Sequence, residues 1–388
     1  MKRILVFRSS LLATSETFIK QQVVSLVSWD AMLVGNRRLA SGLAIDGIKS
    51  TLITNNYDKF WQKVKWRLFR WFGWPKSQEY LNIVAYKPAL VHVHFGTDAV
   101  LAWPWIRHLG VPMLVTLHGF DINTHPEWWI SGHHGDYWRN YPGQLKALAH
   151  KKNVSFIAVS QAIRQQAIQA YGIPAHKVSV LYIGVDHQTF SLGKTPIHER
   201  PLRVLFVGRL VEKKAAGVLI RAMAQVQQLV PQAELTIVGE GPQREELQQL
   251  ANELKVQVNF LGEMPNDKVR AQLHEARIFC LPSITASNGD AEGMGIVLLE
   301  AQACGLPVLT SARGGRDEGI ADGVTGFSFD EGDVDALSTH ILRLLQDDHL
   351  LQKMSEAGPR VIAENFRLND CTAKLEAHYD QQVATKKL

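Results

Sequence analysis

Short, continuously apolar runs alternate with longer amphipathic stretches along most of the chain. In the first half they are Ile4-Leu-Val-Phe7, Leu90-Val-His-Val-His94, Met113-Leu-Val-Thr-Leu117 and Ser155-Phe-Ile-Ala-Val159. The second half repeats the theme with Val204-Leu-Phe-Val207, Leu235-Thr-Ile-Val238, Val256-Gln-Val-Asn-Phe260, Ile278-Phe-Cys-Leu281 and Pro307-Val-Leu-Thr310. Runs of this kind predict strands of a parallel sheet buried on both faces, with the amphipathic stretches as covering helices. Strand and helix alternating twice over predict an α/β chain of two Rossmann-like, doubly wound domains. Ile183-Gly-Val-Asp-His-Gln-Thr-Phe190 leads into an aperiodic polar stretch ending at Pro201, which puts the domain boundary near residue 190. Ligands of open parallel sheets bind beyond the carboxyl ends of the strands, so two such domains facing each other predict a site in the cleft between them.

Composition narrows the class. A chain of 388 residues suits two ordinary domains, and 46% hydrophobic with 20% charged residues leaves no room for a long disordered segment. No window approaches the roughly 18 to 20 apolar residues of a membrane span. The start, Met1 to Arg8, lacks the cleavage site of a signal peptide, so a cytoplasmic protein is expected. Cys280, Cys304 and Cys371, an odd number in partly apolar surroundings, suggest reduced, buried thiols. The net charge of +5 is not gathered into lysine-arginine tracts, which disfavours nucleic acid and fits anionic small molecules or a lipid surface equally well.

The most informative chemistry lies between Ser283 and Val308. The turn Glu292-Gly-Met-Gly295 follows a strand and opens a helix, so free amides of Gly293, Met294 and Gly295 offer an anion site. Glu292 and Glu300, a little over two helical turns apart, can address different ends of one elongated ligand, one a sugar and the other a ribose diol. Arg209 and Lys214, just after a strand and Gly208, put two cations where a diphosphate would lie and remove the need for a metal. Gly239 and Gly241 permit either close approach to a ligand or a plain tight turn. Neither G-x-G-x-x-G nor G-x-x-x-x-G-K-[ST] occurs, which disfavours dinucleotide dehydrogenases and P-loop NTPases. His118, at a strand end before Gly119, is a candidate donor to a sugar hydroxyl. His92 and His94 share a strand face, but no third metal ligand stands at useful spacing.

Taken together and in this order, these elements resemble the family 4 retaining glycosyltransferases of GT-B fold. The likeness runs through Ser15 to Ile19, His92 to Thr97, Leu117 to Asp121, Asn153 to Ser160, Gly184 to Phe190, Gly208 to Lys214, Glu292 to Glu300 and Gly323 to Phe327. In look the first-domain segments are closest to glycosyltransferases of bacterial exopolysaccharides and colanic-acid-type polymers. The resemblance implies a nucleotide diphosphate sugar donor, a glycan or lipid-linked acceptor and no cofactor. It assigns Arg209 and Lys214 to the diphosphate, Glu300 to the ribose, Glu292 with the amides of Gly293 to Gly295 to the donor sugar, and His118 to that sugar from the first domain. It further implies an acceptor-side domain over 1–190, a donor domain over 191–364 and a last helix, 365–388, crossing back onto the first domain. Three departures stand out: Ala215 and Ala216 follow the lysine pair where a glycine is usual, Asp317 replaces a common proline after Gly314-Gly315 and leaves Glu318 in doubt as a ligand neighbour, and Arg8 to Leu12 replaces a glycine-rich loop.

Residues 57–75 place Phe60, Trp61, Val64, Leu68, Trp71 and Phe72 on one helical face beside a stripe of Lys59, Lys63, Arg67 and Arg70. This reads either as an interfacial helix at the inner face of an anionic membrane or as a domain helix packing its aromatics inward. Two other functions share the expected architecture: a sugar-nucleotide epimerase and a non-catalytic nucleotide-sugar-binding protein.

Overall fold

The computed structural model describes residues 1–40, 42–53, 64, 78–312, 314 and 318–385. The segment 57–75, apart from Val64, lies outside the described residues, as do Gly315 and Asp317. The chain divides into two units: Met1–Gly184 together with Leu368–Leu388, and Val185–Arg367.

In the first unit β1 (Lys2–Phe7), β2 (Trp29–Gly35), β3 (Ser50–Leu52), β4 (Leu90–His94), β5 (Met113–Leu117), β6 (Val154–Ala158) and β7 (Val178–Val180) form a parallel sheet in the order β3-β2-β1-β4-β5-β6-β7. In the second, β8 (Arg203–Val207), β9 (Glu234–Val238), β10 (Val258–Gly262), β11 (Ile278–Leu281), β12 (Val308–Thr310) and β13 (Gly326–Ser328) stand in the order β10-β9-β8-β11-β12-β13. Each sheet is wound outward from its first strand and then across it. The reversal falls between β1 and β4 and between β8 and β11, where loops leaving the carboxyl ends diverge and open a crevice.

The central strands carry no solvent face: every residue of β4, β5 and β11 is buried. Helices cover both sides, and α1 (Gly96–Ile106) and α2 (Ala216–Leu229) each turn an apolar stripe inward, α2 burying Leu219, Ile220, Met223 and Val226. Phe7 and Trp105 of α1 meet edge to face at 5.6 Å under the first sheet. Four strands are not marked by apolar runs. The strand β2 interrupts its run with Asp30, and β3, β7 and β13 have three residues each, too few to show a period.

The last described helix, α3 (Leu368–Thr385), belongs to the first unit. Its Glu376, only 7% exposed, accepts the amides of Val27, Ser28 and Trp29 at 2.9, 2.7 and 3.1 Å. Tyr379 packs against Trp29 at 5.4 Å and hydrogen-bonds His92 Nδ1 at 2.7 Å. One carboxylate thus satisfies three backbone donors at the entrance to β2. Replacing it by alanine leaves all three without an acceptor, so Glu376→Ala is expected to cost the first unit about 3 kcal/mol, and Glu376→Gln less. Denaturant unfolding followed by tryptophan fluorescence checks this; a loss below about 0.5 kcal/mol contradicts it.

Candidate functional site

At the carboxyl edge of the second sheet, the loops after β8 and β9 are stitched together. Gly208 N donates to Val238 O at 3.0 Å and Leu210 N to Glu240 O at 2.9 Å. A Cβ on Gly239, whose φ is 134°, would lie 1.9 Å from Gly208 O, and one on Gly241 would lie 2.3 Å from Leu210 O. The close approach these glycines allow is therefore to the neighbouring loop of the chain itself.

The turn Glu212–Lys214 is joined to the loop after β11 by three consecutive residues. Glu212 accepts Ser287 N and Oγ at 2.8 and 3.0 Å, Lys213 pairs with Asp290 at 3.0 Å, and Lys214 pairs with Glu292. Burial alone would raise the Glu292 carboxyl, but Lys214, Lys213 and Arg209 together bring it down to about 2. For Asp290 burial wins over Lys213, and its carboxyl lies above the usual range. Arg209 is exposed, and its guanidinium makes no hydrogen bond or ion pair among the described residues.

The helix α4 (Ile296–Ala303) starts from Gly295, held in the left-handed region at φ 72° with no side chain capping the helix. Gly293 and Met294 are buried beneath that turn. On α4, Glu300 is half-buried and has no hydrogen-bond or ion-pair partner among the described residues. Burial raises its carboxyl to about 7. The edge of this sheet thus presents a guanidinium without a hydrogen bond or ion pair among the described residues, a lysine held by a carboxylate, a helix start without a side-chain cap and an unpartnered carboxylate.

In the first unit, His118 leaves the end of β5. Its Nε2 lies 3.0 Å from His94 Nδ1, and its ring packs on Phe95 at 4.5 Å and Phe18 at 5.1 Å. Burial, with smaller contributions from His92 and Arg8, holds the His118 imidazole well below its ordinary value, so it is neutral at pH 7. His94 Nε2 is buried without a partner among the described residues. A buried N–H left unpaired costs more than an unpaired ring lone pair, so His94 is the donor from Nδ1. His118 then carries its proton on Nδ1 and can donate it to a ligand. The loop is held from below by Asp121, which accepts the amides of Gly96, His118 and Gly119 at 2.7, 3.1 and 3.0 Å.

The sequence alone assigns no role to Glu212, Lys213, Asp290 and Asp121, and offers His94 only as half of a metal pair with His92. A charge in each of three consecutive turn residues was the available signal for the first two; the others depend on tertiary partners. Where Arg8 replaces a glycine-rich loop, it pairs with Asp98 at 2.6 Å and Glu16 at 2.8 Å. Among the described residues no group of three or more His, Cys, Asp or Glu is arranged to hold a metal ion. Ala215, next to the lysine pair, occupies the left-handed region at φ 47°. That conformation costs a residue with a Cβ about 1 to 2 kcal/mol, more than the roughly 0.5 to 1 kcal/mol of extra chain entropy a glycine loses. Ala215→Gly is expected to stabilise the second unit by about 0.5 to 1 kcal/mol, read as a higher denaturant midpoint at unchanged slope.

Residues 34–189 match the family model of Glycosyltransferase Family 4, and residues 188–361 match that of glycosyl transferases group 1. The amylovoran biosynthesis glycosyltransferase AmsK of Erwinia amylovora is 33% identical over 301 residues, 76% of this chain and 68% of that one. The GDP-mannose-dependent alpha-(1-6)-phosphatidylinositol monomannoside mannosyltransferase of Mycolicibacterium smegmatis is 33% identical over 300 residues, 73% of this chain and 74% of that one. Among solved structures, Anabaena HepE in complex with UDP superposes with a TM-score of 0.76 at 20% identity, covering 98% of this chain and 100% of the other. With two parallel α/β units and relatives of this extent, the chain belongs to glycosyltransferase family 4 and is a glycosyltransferase of the GT-B type.

Proposed function

We propose that this glycosyltransferase moves a sugar, with retention of anomeric configuration and without a metal, from a nucleotide diphosphate sugar to a hydroxyl of a glycan or lipid-linked acceptor in bacterial surface polysaccharide synthesis. The observation that carries this is the set at the edge of the second sheet: Arg209 unpaired, Lys214 held by Glu292, and Glu300 unpartnered. The two cations neutralise the diphosphate as charge develops on the leaving group. Lys214 exchanges part of its contact with Glu292 for phosphate oxygens, which frees Glu292 to accept donor-sugar hydroxyls beside the amides of Gly293 to Gly295. Glu300 accepts both hydroxyls of the ribose, and His118 donates to the sugar. As the bond from the anomeric carbon to phosphate breaks, the acceptor oxygen bonds that carbon on the same face. Its proton passes to the departing phosphate oxygen, so no enzyme nucleophile is required.

AmsK, named for amylovoran biosynthesis, supports the polysaccharide reading, and HepE, solved with UDP and with UDP-glucose, supports a nucleotide sugar. The Mycolicibacterium relative is GDP-mannose-dependent, so base and sugar are left to experiment. On this reading Met1–Gly184 serves the acceptor and Val185–Arg367 the donor. No helix among the described residues is long and apolar enough to cross a membrane. A lipid-linked acceptor would be met at the inner membrane face through residues 57–75. Flotation with anionic liposomes is expected to carry the wild type and not a Trp61, Trp66 and Trp71 to Ala variant; equal, negligible binding by both removes the membrane role.

The decisive measurement is thermal stabilisation by UDP-, GDP-, ADP- and dTDP-sugars in chelator. One nucleotide series is expected to raise the midpoint, and Glu300→Ala to lose most of that shift. No stabilisation by any series, with or without divalent metal, would sink the proposal. A pH dependence follows as well. The diol needs the Glu300 carboxylate, which with its carboxyl near 7 is ionised to about a tenth at pH 6 and nine-tenths at pH 8, so donor affinity is expected to rise roughly tenfold between them. In Glu300→Gln the profile flattens. Because the folded value lies above the ordinary 4.5, the stability this group lends the donor-free unit is present below that value and is lost as pH rises through about 7.

A further inference from the structure

The chain between His118 and Tyr141 carries three of the ten tryptophans, Trp128, Trp129 and Trp138, none used by the reaction described above. Its base is fixed. Trp129 is fully buried and donates from Nε1 to Tyr171 Oη at 2.9 Å, and Tyr141 Oη donates to Asp121 O at 2.5 Å. The loop above is closed by Arg139, which donates to Asp136 Oδ1 at 2.8 Å and Ile130 O at 3.2 Å.

On this base the rings of Trp128 and Trp138 stay partly open to water. Trp128 stands nearly perpendicular to Trp129 at 5.3 Å, and His133 stacks on it at 5.8 Å and 12°. Ser131 Oγ lies 2.8 Å from Trp128 O and 2.5 Å from His133 Nδ1. His134 sits 5.7 Å from Trp128 and 6.1 Å from Trp138, while Tyr137 and Ile130 are 39% and 55% exposed. Trp128 and Trp138 are each half-buried. A contiguous aromatic surface left partly in water marks a binding face.

Charge and rim chemistry select the occupant. Residues 125–140 hold Glu127 and Asp136 against Arg139 and no lysine, the wrong balance for an anionic membrane. A pyranose ring presents C–H bonds on its faces, which suit the negative face of an aromatic ring, and hydroxyls at its edge, which suit Ser131, Asp136, Arg139 and the histidine nitrogens. The platform also begins at Phe120, two residues beyond His118, whose ring touches Trp128, Trp129 and His134 at 6.0, 5.2 and 5.4 Å.

We propose that Trp128, Trp138 and the loop 130–139 form a stacking subsite for sugar rings of the acceptor glycan, which makes the acceptor a neutral oligosaccharide at the point of contact. The proposal rests on the glycosyl-transfer reading but is tested apart from it. Neutral tri- and tetrasaccharides of glucose, galactose and mannose are titrated against the whole protein by tryptophan fluorescence and calorimetry. At least one is expected to bind saturably, about tenfold more weakly after Trp128→Ala or Trp138→Ala, with Trp128→Phe retaining most of the affinity. Nucleotide-sugar stabilisation should be unchanged in all three, which also shows that the variants fold. The subsite is overturned if no oligosaccharide binds the wild type, if both alanine variants bind as well as it does, or if Trp128 governs only binding to phosphatidylglycerol vesicles. Donor stabilisation without tryptophan-dependent glycan binding defeats this proposal alone. Tryptophan-dependent glycan binding with no response to any nucleotide sugar defeats the transferase reading instead.

Discussion

Everything at the edge of the second sheet depends on charge compensation in a poorly solvated place. Glu292 is ionised there only because Lys214, Lys213 and Arg209 outweigh the penalty of its burial. That pairing does more than neutralise. Because the lysines lie on a turn after β8 and their carboxylates on the loop after β11, the ion pairs tie together the two strand ends that flank the switch in strand order. Glu212 adds an uncharged partner, Ser287, to the same seam. The crevice a doubly wound sheet must open is thus bridged by side chains, and its groups are held in position before any ligand arrives.

The two units use different physics at corresponding edges. The second works with charged groups, among which the Arg209 guanidinium and the Glu300 carboxyl have no hydrogen-bond or ion-pair partner among the described residues. The first has neutral imidazoles: burial takes His92 down to about 3, and His94 and His118 also lie well below their ordinary value. Phe95, between the histidine strand and α1, is held at φ 72°, a conformation sparsely used by aromatic residues and one that aims its ring at His118. Orientation rather than charge is what this edge supplies.

Much of this was legible in the order of residues. Strands buried on both faces betray themselves as apolar runs, which is why β4, β5 and β11 stand out in the sequence with the bounds they have in the fold. The strand β2 was hidden because Asp30 reaches solvent to meet Lys49 at 2.7 Å, which breaks the run without breaking the strand. Glu292 and Glu300 were visible through their spacing and the glycines before α4, but not their opposite states, one driven down by lysines and the other up by burial. Asp290 and Lys213 gave no signal of their own, since each gains meaning only from a partner 77 residues away. The glycines at 239 and 241 were legible as special and not as to why; only the neighbouring strand end explains them.

The helix α3 gives the chain a particular order of assembly. The segment Val185–Arg367 is continuous, so all its contacts are available as soon as it has been synthesised. The first unit is not so placed: the carboxylate that satisfies the amides of residues 27–29 and the tyrosine that covers Trp29 lie at Glu376 and Tyr379. On the ribosome, the half that emerges first must therefore hold a sheet with one patch of its cover missing while the whole second half is made. The unit whose strands come first in the chain is thus the one completed last, and its apolar patch around Trp29 stays without that cover in the interval.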